Sequence, residues 1–159
     1  FSAELFRRHA PADWMPMVEL WAGREIELGA RYTVELVTRL SLLEGVPIRM
    51  KGELRVSERI ACDAADADAR CVELVLASRP DPAVLPWLQS AGARAAAVVT
   101  VSALELDETV RVVTEPETLV PYRVSTDRRA RVELRLPDGS HRSTALDEEK
   151  DVVFRPGAS

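Results

Sequence analysis

Histidine and cysteine are scarce, with two of each in 159 residues. His9 and His141 stand far apart, and neither sits at a metal-ligating spacing from another donor, so both read as solvated side chains. No Cys-x-x-Cys, His-Glu-x-x-His or Gly-rich phosphate loop occurs, and Gly-x-Ser-x-Gly is also missing. These absences argue against a metal centre, a nucleotide site and a serine nucleophile, and no cofactor is expected. Lysine is reduced to Lys51 and Lys150, the other cations being arginine. Basic residues are interleaved with acids at a net charge of -5, so the basic stripe that a nucleic-acid reader needs is lacking. The longest unbroken apolar run, Ala95 to Val99, is far below the roughly 20 residues of a membrane helix.

What remains is a chain rich in alternation. From Ile26 to Leu42 the even positions include Ile26, Leu28, Tyr32, Val34, Leu36, Leu40 and Leu42. Glu25, Glu27, Arg31, Glu35 and Arg39 lie between them. After a turn at Glu44-Gly45-Val46-Pro47 the rhythm resumes with Ile48, Met50, Leu54, Val56, Ile60 and Cys62, with Gly52 and Glu58 breaking the apolar phase. A period of two writes one apolar face and one charged face, so 25–42 and 48–62 are expected to form a long hairpin. A third strand is expected at 71–78. Alternation then supports strands at 96–106, 109–115 and 119–126, about Val132 to Leu136, 141–146 and 149–155. Pro137-Asp138-Gly139-Ser140 reads as a tight turn, because Asp-Gly supplies the positive φ that hairpins require.

Helices are expected at 2–9 and 12–22, the second with Trp14, Met17, Val18 and Trp21 as an apolar stripe. A further helix is expected over 82–95, with Ser78 or Asp81 as its cap and Pro82 or Pro86 in its first turn. The fold class is therefore α+β in a single domain spanning 1–159: N-terminal helices (1–24), a long hairpin with a third strand (25–78), a helix (82–95) and an antiparallel meander (96–155). The sheet is expected to have about eight strands, to be mostly antiparallel and curved as a half-barrel, and to wrap around the 82–95 helix.

Cys62 and Cys71 bracket an Asp/Ala-rich loop between two strands, a placement that suits a disulfide and an exported protein. Their parity conflicts. Cys62 continues the apolar phase of its strand, whereas Val72, Leu74 and Leu76 put Cys71 on the other phase. Directly opposed residues share a face, so bridging them requires a bulge or a frayed strand end. The chain opens at Phe1 without Met or a signal sequence, and reads as a mature or trimmed segment.

Asp63, Asp66 and Asp68 lack the order of a calcium loop. Glu115/Glu117 and Asp147/Glu148/Glu149 lie in charge-rich stretches and read as solvated surface. The large aromatics fall on the expected helices, where packing is the favoured role. A curved sheet holding a helix can also enclose an apolar pocket. Its candidate lining is Trp14, Met17, Trp21, Leu36, Met50, Leu54, Leu85, Trp87 and Leu88.

The stretch Glu115-Pro116-Glu117-Thr118-Leu119-Val120-Pro121-Tyr122-Arg123 resembles the strand entry of exported bacterial proteins with lipoprotein-carrier-like (LolA/LolB-like) half-barrels. Glu27-Leu28-Gly29-Ala30-Arg31-Tyr32 is loosely similar to their entry into the first long strand. The resemblance covers about a third of the chain. It implies an unclosed antiparallel barrel, a periplasmic or envelope location, and the handling of a lipid, acyl chain or lipidated partner. The expected function is thus a non-enzymatic envelope protein binding an apolar ligand. The alternative is a structural or interaction domain of a larger envelope assembly, with a closed core and no ligand.

Overall fold

The computed structural model describes residues 25–43, 45–63, 68, 70–94, 99–117 and 121–154. The helices expected at 2–9 and 12–22, and with them Trp14, Met17 and Trp21, lie outside the described residues. The rest is a sheet of six strands in the order β1-β2-β3-β4-β5-β6, every neighbouring pair antiparallel. The strands are β1 (Arg31–Leu40), β2 (Val46–Ile60), β3 (Cys71–Pro80), β4 (Thr100–Thr114), β5 (Pro121–Arg135) and β6 (His141–Val153). One helix, α1 (Val84–Arg94), joins β3 to β4. The sheet is not closed, since β1 and β6 each pair on one side only.

The first arm of the hairpin starts later than alternation suggests. Gly29 takes a φ of +72° and the Ala30 amide donates to the Glu27 carbonyl, so a turn occupies the residues before Arg31. At the far end Ser41–Leu43 form a single 3-10 turn. Gly45 follows at a φ of +77°, its amide donating to the Leu40 carbonyl. A residue with a side chain is strained at such an angle, which explains glycine there. Gly139 does the same work at +84° in the expected Pro137–Ser140 turn. Asp138 fixes that turn by accepting from the Ser140 amide at 2.9 Å.

Helix α1 begins at Val84, two residues later than expected. The Asp81 carboxylate accepts from the Ala83 amide at 2.8 Å, and the Asp81 carbonyl accepts from the Val84 amide. Pro82 therefore precedes the helix, and Pro86 falls within its first turn, where its missing N–H is harmless.

Six strands replace the eight or so expected. Among the described residues, 100–106 and 109–114 are one strand, β4; 121–126 and the Val132 segment are one strand, β5; 141–146 and 149–153 are one strand, β6. Each false boundary falls where a charged residue occupies the apolar phase: Glu108, Arg128 and Glu148. The register brings these residues together. Val34 opposes Gly52, Gly52 opposes Ser78, Ser78 opposes Glu108, Glu108 opposes Arg128 and Arg128 opposes Glu148, in one row across all six strands.

On either side of this row lies an apolar cluster. One contains Leu54, Val56, Val72, Leu74, Leu76, Val110, Val112 and Val124. The other contains Leu40, Ile48, Met50, Leu106, Ala130 and Val132, together with Val84 and Leu88 of α1. The helix is therefore seated on the apolar face, in contact with a cluster fed by β1, β2, β4 and β5.

Cys62 and Cys71 are disulfide-bonded, their Cα atoms 5.0 Å apart. The parity conflict is resolved by a bulge. Between Val56↔Leu74 and Arg59↔Val72, β2 advances three residues while β3 advances two. The extra residue inverts the phase of β2, so Ile60 opposes Cys71 and continued alternation brings Cys62 to the same face. Ser57 holds the bulge, its hydroxyl accepting from the Glu73 amide at 2.8 Å and donating to the Glu58 carbonyl at 2.6 Å.

Candidate binding cavity beside the helix

The best-formed cavity described lies between the start of α1 and the β1–β2 hairpin. It has a volume of about 420 Å³ and is lined by Val37, Pro47, Arg49, Asp81, Ala83, Val84 and Trp87. That volume falls within the range of small-ligand sites. Each wall has a local cause. Val37 is an apolar residue on the charged phase of β1, directly opposite Arg49, and is 59% exposed. Pro47 sits two residues from Arg49 on the same phase and opposes Arg39, at the start of β2 and ahead of that strand's first pair with β3 at Met50, where proline is tolerated. Trp87 is 50% exposed although Val84 and Leu88 on the same helix are buried. An indole held half out of water beside an exposed valine is an apolar surface with no partner among the described residues.

Asp81 organises the charged edge of the cavity. Its carboxylate caps α1 and forms an ion pair with Lys51 Nζ at 2.7 Å, while its amide donates to the Arg49 carbonyl and extends the β2–β3 ladder. The hydrogen bond from Lys51 holds the Asp81 carboxyl below its ordinary range, with help from the Ala83 amide and the charges of Lys51 and Arg49. The same hydrogen bond raises the Lys51 ammonium above its ordinary value, with Glu35 adding to the effect.

A smaller cavity of about 270 Å³ adjoins it, sharing Val37, Arg49 and Asp81 and adding Glu35, Leu36, Met50 and Lys51. Of the expected pocket residues, Trp87 lines the first cavity, and Leu36 and Met50 line the smaller one. Leu88 is buried in the cluster that also holds Met50, whereas Leu54 belongs to the cluster across the polar row. Leu85 lines a separate, more open depression with Leu104 and Leu106. Val37 and Pro47 were the residues that alternation alone passed over. Their signal is an apolar side chain in the charged phase, next to the hairpin turn.

The polar row is the second unusual feature. Glu108 and Ser78 are buried, and Arg128 Nη2 donates to Glu108 Oε1 at 2.7 Å. The second oxygen of Glu108 and the Ser78 hydroxyl are buried with no hydrogen-bond partner among the described residues. Solvent reaches the row from the β6 end, where the Glu148 side chain is exposed and lies 3.7 Å from Arg128.

Several of the carboxylates singled out in the sequence are paired along the sheet surface. Glu115 lies 3.9 Å from Arg70, Glu117 4.0 Å from Arg59, and Asp147 3.8 Å from Arg129. His141 begins β6 and is exposed. Among the described residues no group of three or more His, Cys, Asp or Glu could hold a metal ion, and no helix is long and apolar enough to cross a membrane. Comparison with protein-family models, curated proteins and solved structures finds no match for the chain.

Proposed function

We propose that this is a non-enzymatic, exported cell-envelope protein that binds the acyl chain of a lipid or of a lipidated partner. The single observation that carries the reading is the cavity of about 420 Å³ beside α1, with Trp87 half exposed at its wall. Such a surface loses free energy to water until an apolar group covers it, at roughly 25 cal/mol per Å². The unclosed antiparallel sheet with a helix on its apolar face is compatible with a lipoprotein-carrier-like half-barrel. The disulfide fits an oxidising compartment. In this reading the chain lies against Val37, Pro47 and Trp87, and the adjoining smaller cavity extends the site along the β1–β2 hairpin.

The test is solvent extraction and mass spectrometry of the purified protein, followed by titration with a fluorescent fatty acid. Wild type is expected to carry or take up the chain, and Trp87→Ala to weaken uptake at least about tenfold, or about 1.4 kcal/mol. Equal uptake by both proteins, or none by either, would remove the proposal.

A further inference from the structure

Strand β6 is only thinly covered, with Thr144, Leu146 and Val152 half-buried on the apolar face and Leu146 alone packed against a core cluster. Ten of its thirteen residues are exposed, and it pairs only with β5, so a full row of backbone donors and acceptors faces outward. The other edge differs, since β1 buries Val34 and Leu40 in the two core clusters. Exposed edges are usually blunted by charge, and β6 is charged. Its charges, however, follow an order that is complementary to itself.

We propose that β6 pairs antiparallel with β6 of a second copy of this chain, about a two-fold axis through Ala145. In that register Arg142 opposes Glu148, His141 opposes Glu149, Ser143 opposes Asp147 and Thr144 opposes Leu146, each pairing occurring twice. Directly opposed residues share a face. The Arg142–Glu148 pairs therefore lie on the side of the apolar face, and the His141–Glu149 pairs on the charged side. Opposite charges directly across a ladder stabilise it and like charges destabilise it. No like charges meet in this register. Moving the axis to Leu146 sets Arg142 against Lys150; moving it to Asp147 or Glu149 sets a carboxylate against its own copy. The axis at Thr144 shortens the ladder and loses the Arg142–Glu148 pairs.

The ladder would run from His141 to Glu149, nine residue pairs against the seven that join β3 to β4 within the chain. The two sheets of six strands would become one continuous sheet. An unrelated apolar strand would set no opposite charge against Arg142 or Glu149, and an acidic one would meet Glu148 and Glu149 with like charge, so the same residues that discourage foreign strands favour a second copy.

Sedimentation velocity across a concentration series, up to millimolar, tests the pairing. Wild type is expected to dimerise. Arg142→Glu and Glu148→Arg each oppose like charges twice and are expected to weaken self-association at least about tenfold. An equimolar mixture of the two variants opposes unlike charges again and is expected to restore the dimer. A monomeric wild type, or a mixture that stays monomeric, overturns the proposal. Glu148→Arg also touches Arg128, so a second readout guards against misfolding. Only residue 145 faces its own copy, so Ala145→Cys should cross-link under mild oxidation and Ser143→Cys should not. Equal cross-linking at both positions, or at neither, rejects the register.

Discussion

Glu108 and Arg128 oppose each other across β4 and β5, joined by a hydrogen bond of 2.7 Å, on the face of the sheet that carries both apolar clusters. The Glu108 side chain is 10% exposed and that of Arg128 22%. A pair so placed is costly to break and contributes little when intact, because desolvation offsets most of the attraction. Glu108→Ala should therefore destabilise the protein by about 3 kcal/mol, less than a fully buried pair since Arg128 reaches water. Replacing both residues together, Glu108→Leu with Arg128→Met, should land near wild type or above it. Urea denaturation of the three variants checks this, and a double variant less stable than Glu108→Ala would refute it.

Gly52 is the small member of the same row. A Cβ there would lie 2.8 Å from the Ala77 carbonyl oxygen and 3.0 Å from the Ser78 Cβ. The first of these atoms is backbone and cannot rotate away. Gly52→Ala is therefore expected to cost about 1–3 kcal/mol despite the better strand propensity of alanine. Thermal unfolding reads the change, and a variant as stable as wild type would mean that β2 and β3 separate freely at this point.

The disulfide closes a short loop, with a sequence separation of 9. Constraining so short a loop stabilises by about 2.5 kcal/mol in the chain-entropy model. The Cys62→Ser/Cys71→Ser variant should lose about that amount, with the earliest hydrogen exchange at Ile60 and Arg59 beyond the bulge. Global loss without local fraying there would show that the bond does not anchor the end of the β2–β3 ladder.

Asp81 and Lys51 set a pH dependence whose sign is fixed by their shifts. The Asp81 carboxyl is depressed in the folded protein, first by its hydrogen bond to Lys51. Its contribution is present above the ordinary value of 3.8 and disappears as pH falls through the depressed folded value. The Lys51 ammonium is raised, first by the hydrogen bond to Asp81, so its contribution is present below 10.5 and disappears as pH rises through the raised folded value. Asp81→Asn keeps a capping side chain but removes the charge. Its melting temperature should fall less steeply than that of wild type below pH 3.8. Parallel acid slopes for the two proteins would dismiss the ion pair as a contributor.

Much of this architecture was legible because a strand's period is short and its faces differ. The hairpin, the third strand, the 82–95 helix and the Asp138-Gly139 turn all follow from local pattern. The parity of Cys62 and Cys71 required a bulge or a frayed strand end, and the structure has the bulge, at Ser57 and Glu58. Strand count failed for a definite reason. Glu108, Arg128 and Glu148 each break the apolar phase of their own strand, and in one dimension a break looks like an end. Only the register reveals that the breaks line up with Gly52 and Ser78 as a single row. The cavity was half legible. Leu36, Met50 and Trp87 came from the apolar pattern, but Val37 and Pro47 belong to the charged phase, where pattern alone does not look for a binding wall.

Strand order in the sheet is the order of the chain, from β1 to β6. Four of the five ladders therefore close over short connections, and only β3–β4 closes over α1. Closing a longer loop costs more entropy, and that ladder has only seven pairs to offset it. Hairpins β1–β2 and β4–β5–β6 can zip up independently, leaving the junction of β3 and β4 as the slow step that unites them. Synthesis from the N-terminus completes β1, β2 and β3 before β4 exists, so the exposed edge of β3 waits for α1 and β4 to arrive.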